Sequence, residues 1–202
     1  MLYFRLNTVA FEVCDADKKT ELYEKILDTA EKLFTRYGYS KTSLKMIAEK
    51  CFISKSNIYR YFTSKEEIYE KLVGEARRSL LEVADRMTAP DFIAKSLKMK
   101  ISEIALSLAD AVATHRNAIL VMLRSGRDED RSFITGHYIR IFTERSQVAD
   151  NDLNTLIAKI QVFGLTDVIT TYEDPKELKK YIFLLMKYHY LGLNGLTGKG
   201  DD

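Results

Sequence analysis

Only two prolines, Pro90 and Pro175, and nine glycines punctuate the 202 residues, so long stretches of backbone contain nothing that forbids a helix. An all-β sandwich would want turn signals every ~8–12 positions, and this chain does not supply them. Between the breakers, apolar residues recur with helical spacing. Leu22, Ile26, Leu27, Ala30, Leu33 and Phe34 line one face of a helix expected over 20–37, with Gly38 as its left-handed stop. A second short helix is expected over 42–50, and Ser54 caps a third that carries Ile58 and Phe62. Ser64 and Glu67 have the spacing of a capping box and open a long helix to about Met87, ended by Pro90. Further helices are expected over 91–114, 118–123, 131–148 and 153–172. A last one runs to about Asn194 from a start marked by Asp174 as cap and Pro175 in the first turn.

Hydrophobic residues make up 46% of the chain and charged residues 30%, which suits a packed core. No uninterrupted apolar run approaches the ~18 residues of a membrane span, so no membrane partner is expected. Residues 1–17 lack the clean apolar core and small-residue cleavage site of a secretory signal and are expected to form a loosely docked arm. Two cysteines, Cys14 and Cys51, are too few for a disulfide framework or a structural zinc site, as befits a reducing cytoplasm. His115 and His189 have no acid or cysteine at ligand spacing, so neither metal nor cofactor is expected. The chain has no G-x-S-x-G, no Gly-rich phosphate loop and no paired histidines, which argues against an enzyme. Asp128-Glu129-Asp130 reads as a solvated charged loop.

The net charge of +2 conceals a basic segment. From Lys18 to Lys65 there are eleven basic residues against five acidic ones, a net +6. Such a segment is the electrostatic footprint of a phosphate-binding surface, although a solvated helix face would give the same count. Within it, residues 44–63 read L-K-M-I-A-E-K-C-F-I-S-K-S-N-I-Y-R-Y-F-T. Ile47, Ala48, Cys51, Ile53, Ile58 and Tyr61 take the apolar positions of a helix-turn-helix, with Ala48 small so that the third helix can cross closely. Ser54, Lys55, Ser56, Asn57, Tyr59 and Arg60 are left around the start and exposed side of a helix narrow enough for a major groove. Lys45, Lys55, Ser56, Asn57 and Arg60 are the groove candidates, because Arg matches guanine and Asn matches adenine in bidentate geometry. A plain three-helix packing unit would share the apolar spacing without needing those polar groups together.

Residues 26–72, with G-Y-S-K-T-S-L-K-M-I-A at 38–48 and I-S-K-S-N-I-Y-R-Y-F-T-S-K-E-E-I at 53–68, resemble the amino-terminal DNA-binding domain of TetR-family transcriptional regulators. The resemblance covers roughly a quarter of the chain. It implies a homodimer on a palindromic double-stranded DNA operator, usually repressing, and a divergent carboxy-terminal domain that binds an inducer. Carried over residue by residue, Thr42, Tyr59 and Lys65 resemble the family's backbone-phosphate contacts, and Ser43 joins the site as the partner of Thr42 in the motif. Two positions depart from the pattern. Phe52 stands where the family usually has Gly in the turn, and Ser56 where it often has Gly. A bulky residue at a positive-φ position is strained, which puts the shape of the turn in question.

The fold expected overall is all-α: an arm over 1–19, a three-helix DNA-binding head with a helix-turn-helix over 20–66, and a larger helical ligand-binding and dimerisation domain over 67–202. The two carboxy-terminal helices are apolar around most of their circumference, so either both are central or one face packs on a second subunit. The resemblance favours a homodimer through these last two helices. Ile101, Ile104, Leu108, Met122, Phe133, His137, Phe142 and Tyr172 form an aromatic-rich set suited to a small hydrophobic effector, and equally suited to a core. The resulting expectation is a cytoplasmic, ligand-responsive DNA-binding repressor. The alternative is a helix-turn-helix architectural or protein-interaction module without ligand control.

Overall fold

The computed structural model describes the backbone of residues 2–93, 97–125, 127–145 and 151–197. Side chains are described over 19–87, 89–91, 99–124, 127–130, 132–137, 139–140 and 152–192. Every element in those segments is helical. The chain divides into two units, 1–72 and 73–202. The division falls later than residue 66 because the first turns of α4 (Lys65–Thr88) pack into the first unit: Ile68 and Tyr69 are fully buried there.

In the first unit α1 spans Leu2–Tyr37, where the sequence suggested an arm followed by a helix from residue 20. No glycine or proline precedes Gly38, so nothing in the chain interrupts the helix. Gly38 ends it at φ +85°, its N–H donating to the Phe34 carbonyl at 2.9 Å. α2 (Leu44–Cys51) and the single turn α3 (Lys55–Ile58) complete the head. Ile26, Phe34, Ile47, Ile58, Phe62 and Tyr69 fill its core. Each stabilises the fold by about 1.5–3 kcal/mol through burial. Tyr23 stacks on Phe62 with centroids 4.9 Å apart, and Tyr39 meets Tyr69 edge-on at 4.8 Å.

The second unit contains the rest of α4 and the one-turn α5 (Pro90–Ile93), which starts on the proline expected to end α4. α6 (Leu97–Leu120), α7 (Asp128–Arg145), α8 (Asn151–Thr171) and α9 (Pro175–Thr197) follow. Arg86 fixes the corner, donating to both carboxylate oxygens of Asp91 at 2.8 and 2.7 Å and to Glu103 at 2.8 Å. The helices expected over 91–114 and 118–123 are one element, broken only locally at His115 (φ −124°, ψ 28°), and continued by a π-helical turn over Val121–Ser125. Asp130 corrects the reading of 128–130 as a solvated loop. It lies in the first turn of α7, is buried, and pairs with Arg77 at 2.5 Å.

α6 packs on α9, and α7 on α8. The stretch Met99–Arg124 is long and apolar enough to cross a bilayer, but 56% of its most apolar window is buried within the protein, as in the central helix of a core. Gly164 marks a close approach of α8 to α9, since a Cβ there would lie 3.1 Å from Leu185 Cδ1. Asp174 caps α9 as expected, its Oδ1 accepting from Lys176 N and Glu177 N at 3.0 Å each.

Candidate nucleic-acid interface and interior cavity

The helix-turn-helix is set by its caps. Ser43 Oγ accepts from Met46 N at 3.2 Å and starts α2; Ser54 Oγ accepts from Asn57 N at 3.2 Å and starts α3. Between them Phe52 stands at φ 61°, ψ 39°, the one described non-glycine residue with positive φ. Its N–H donates to Glu49 O at 3.2 Å and that of Ile53 to Ala48 O at 3.0 Å, a Schellman motif with phenylalanine at the position glycine favours. The turn therefore keeps its left-handed shape despite the substitution, and the ring is pushed out to 90% exposure, with Lys25 Nζ 5.7 Å from its centroid.

Ile47, Ala48, Cys51 and Ile58 are buried as the motif requires, while Ile53 and Tyr61 are only half-buried. The polar groups expected to face DNA divide into two sets. Lys45, Lys55, Ser56, Tyr59 and Arg60 are exposed, as are the capping residues Ser43 and Ser54. Lys55 Nζ lies 5.7 Å from the Tyr59 ring, Ser54 Oγ and Ser56 Oγ are 2.8 Å apart, and Lys45 approaches Glu49 only at 3.9 Å. Arg60 has no side-chain partner among the described residues. Asn57 Oδ1 is buried with no hydrogen-bond partner among them, an unsatisfied acceptor that rotation toward a donor would relieve.

Thr42 and Lys65, expected at the backbone phosphates, have partners inside the fold. Thr42 is buried, and its hydroxyl donates to Gly38 O at 2.9 Å and Leu33 O at 3.3 Å, so the side chain faces the fold. Lys65 Nζ donates to Tyr39 O at 2.7 Å and Thr42 O at 2.9 Å and sits 4.0 Å from the Tyr39 centroid. Two of its three donors thus clip α4 to the 39–42 loop. Desolvation draws its pKa below the ordinary lysine value, against the opposing pull of Glu66. Tyr39, which the sequence reading passed over, completes the clip by donating to Glu66 Oε2 at 2.6 Å. An aromatic residue directly after a left-handed glycine stop was the available signal. The capping box at Ser64 is shifted by one: Ser64 Oγ accepts from Glu67 N at 3.1 Å, but Glu67 reaches back to Thr63 N, at 2.7 Å, rather than to Ser64 N.

In the second unit an interior cavity of about 40 Å3 lies between α4, α6, the π-turn, α7 and α8. Of the expected pocket residues, Leu108, Phe133 and His137 line it. Ile101, Ile104 and Met122 are instead buried packing residues, and Tyr172 stacks on Tyr181 at 3.9 Å. Phe142 lies outside the described side chains. The sequence reading missed the wall contributed by α4, Leu80, Val83, Ala84 and Met87, whose helical spacing was visible but read only as core. His137 is the one polar side chain among the described lining residues, its Nδ1 3.1 Å from Phe133 O.

The family model for bacterial regulatory proteins of the tetR family matches residues 26–72. The HTH-type regulator YhgD of Bacillus subtilis, itself uncharacterised, is 31% identical over 65 residues, 32% of this chain and 34% of that protein. IcaR of Staphylococcus aureus, an HTH-type negative transcriptional regulator of the biofilm operon icaADBC, is 44% identical over 50 residues, 25% of this chain and 27% of that protein. The matched stretches therefore span about a third or less of these relatives. A TetR-family transcriptional regulator from Bordetella parapertussis shares the fold, with a TM-score of 0.59 at 22% identity over 84% of this chain and 96% of that one. On its helix-turn-helix and these likenesses, residues 26–72 form a DNA-binding domain like that of the tetR family of bacterial regulatory proteins, and the whole chain shares the fold of such regulators.

Proposed function

We propose that this chain is a cytoplasmic repressor that binds a palindromic operator as a homodimer and is released by a small apolar effector. One observation carries the DNA contact: a serine-capped turn of helix presents Lys55, Asn57, Tyr59 and Arg60 at the edge of a basic head, with Arg60 uncommitted among the described residues. Arg60 and Asn57 serve as base readers, and Lys45, Lys55 and Tyr59 as groove or phosphate contacts. Repression is the mode favoured by IcaR, named a negative regulator.

Two further observations support the rest. Leu156, Ile160 and Phe163 on α8, and Leu184, Tyr188 and Leu191 on α9, repeat at i, i+4, i+7 and are all exposed. Six large apolar side chains in register on two adjacent helices form a seam suited to a second copy. The interior cavity is apolar but holds only about 40 Å3, against roughly 300–1,000 Å3 for a ligand site. An effector must therefore part its walls. One wall is α4, which begins in the DNA-binding unit at Lys65, so expansion displaces the helix that carries the head.

Gel shifts on the chain's own upstream DNA over a salt series test the reading. Arg60→Ala and Asn57→Ala should each cost about 1–3 kcal/mol of specific binding. A protein that stays monomeric, or ignores duplex DNA in dilute buffer, would defeat the proposal. An architectural module would bind DNA but show neither a thermal shift nor DNA release with any apolar compound.

A further inference from the structure

A second hollow in the carboxy-terminal unit is far larger than the interior cavity. It lies between α7 and α8 and measures about 640 Å3, the size of a small-molecule site. Its walls are apolar where Ile139 of α7 faces Val162 and Phe163 of α8. Three polar groups also line it: the Ser132 and Thr135 hydroxyls on α7 and the Lys159 ammonium on α8. None of the three has a hydrogen-bond or ion-pair partner among the described residues, whereas the fourth polar liner, Thr166, spends its hydroxyl on Val162 O at 2.7 Å. Gly136 supplies an independent observation. It lies mid-helix, where glycine is a poor residue, and has no positive φ to require it. A Cβ built on it would meet nothing within 4 Å, so no close packing demands its smallness either. What the missing side chain does is leave the floor of the cleft open.

We infer that the α7–α8 cleft binds an amphipathic carboxylate, its apolar body against Ile139 and Val162 and its carboxylate at Lys159 with the Ser132 and Thr135 hydroxyls. The charge decides the class of ligand. Lys159 is the only ionisable side chain among the described liners, so the cleft favours one negative charge, and two free hydroxyls supply further donors to its oxygens. This site is separate from the interior cavity and does not depend on the reading of that cavity.

Isothermal titration of the full-length protein with decanoate, decanol and decyltrimethylammonium, each below its micelle concentration, tests the assignment. Decanoate should bind saturably at one per chain, and decyltrimethylammonium at least tenfold more weakly. Lys159→Gln should weaken decanoate at least tenfold while leaving decanol within twofold. Gly136→Leu fills the cleft and should abolish decanoate binding while raising the melting temperature, since leucine suits a helix better than glycine. Ala84→Phe, which fills the interior cavity, should leave decanoate binding unchanged. Absence of saturable decanoate binding overturns the proposal, as does binding indifferent to Lys159→Gln and Gly136→Leu. Loss on Ala84→Phe alone would move the ligand to the interior cavity and likewise overturn it. So would dissociation of the assembly by Gly136→Leu in sedimentation, which would make the cleft a seam between two copies.

Discussion

Phe52 holds a conformation that costs an L-residue about 1–2 kcal/mol, and its ring, almost wholly exposed, regains little of that by burial. Phe52→Gly should therefore raise head stability by about 1 kcal/mol in urea unfolding, whereas Phe52→Ala should not, because it keeps the strained φ. Lys65 gives the opposite case. Lys65→Met removes two charge-assisted bonds to the 39–42 loop and should destabilise the head by about 1–3 kcal/mol. It should leave the salt slope of DNA binding nearer to wild type than Lys55→Ala does. At this scale the sequence showed which residues cap helices, because a cap is satisfied within three residues of itself. It did not show which way Thr42 and Lys65 point, because their partners, Leu33 and Gly38 for one and Tyr39 and Thr42 for the other, depend on how the loop folds back.

Helix ends were legible wherever the chain carries an explicit stop or start. Gly38 closes α1, Ser43 and Ser54 open α2 and α3, and Asp174-Pro175 opens α9. They were not legible where nothing local marks them: α1 runs back to Leu2, and α6 passes through His115 and into a π-turn without a breaker residue. The α4 to α7 contact was invisible for a different reason, since Arg77 and Asp130 are far apart in sequence and both are types usually found in water. Their pair now spans two elements with Asp130 buried. Asp130→Ala should cost about 1–3 kcal/mol in urea unfolding, because the charge-assisted bond between Arg77 and a buried carboxylate is lost. Asp174→Ala, which only uncaps α9, should cost about 1 kcal/mol by the same measurement.

For the whole molecule, the exposed α8 and α9 seam predicts that Phe163→Glu with Tyr188→Glu yields monomers in sedimentation and loses operator affinity with the head unaltered. His189 on α9 adds a pH response. Burial holds its pKa down at about 4, against roughly 6.5 in an unfolded chain. The unfolded chain then takes up the proton first, so stability falls as pH drops from about 6.5 to about 4, by up to about 3 kcal/mol. Urea midpoints at pH 7 and pH 4.5 should differ accordingly, and His189→Gln should remove that part of the difference. Leu123, on the π-turn, borders both the interior cavity and the α7–α8 cleft. It is a shared wall, felt from both rooms at once: trimming it, as in Leu123→Ala, would enlarge each of them.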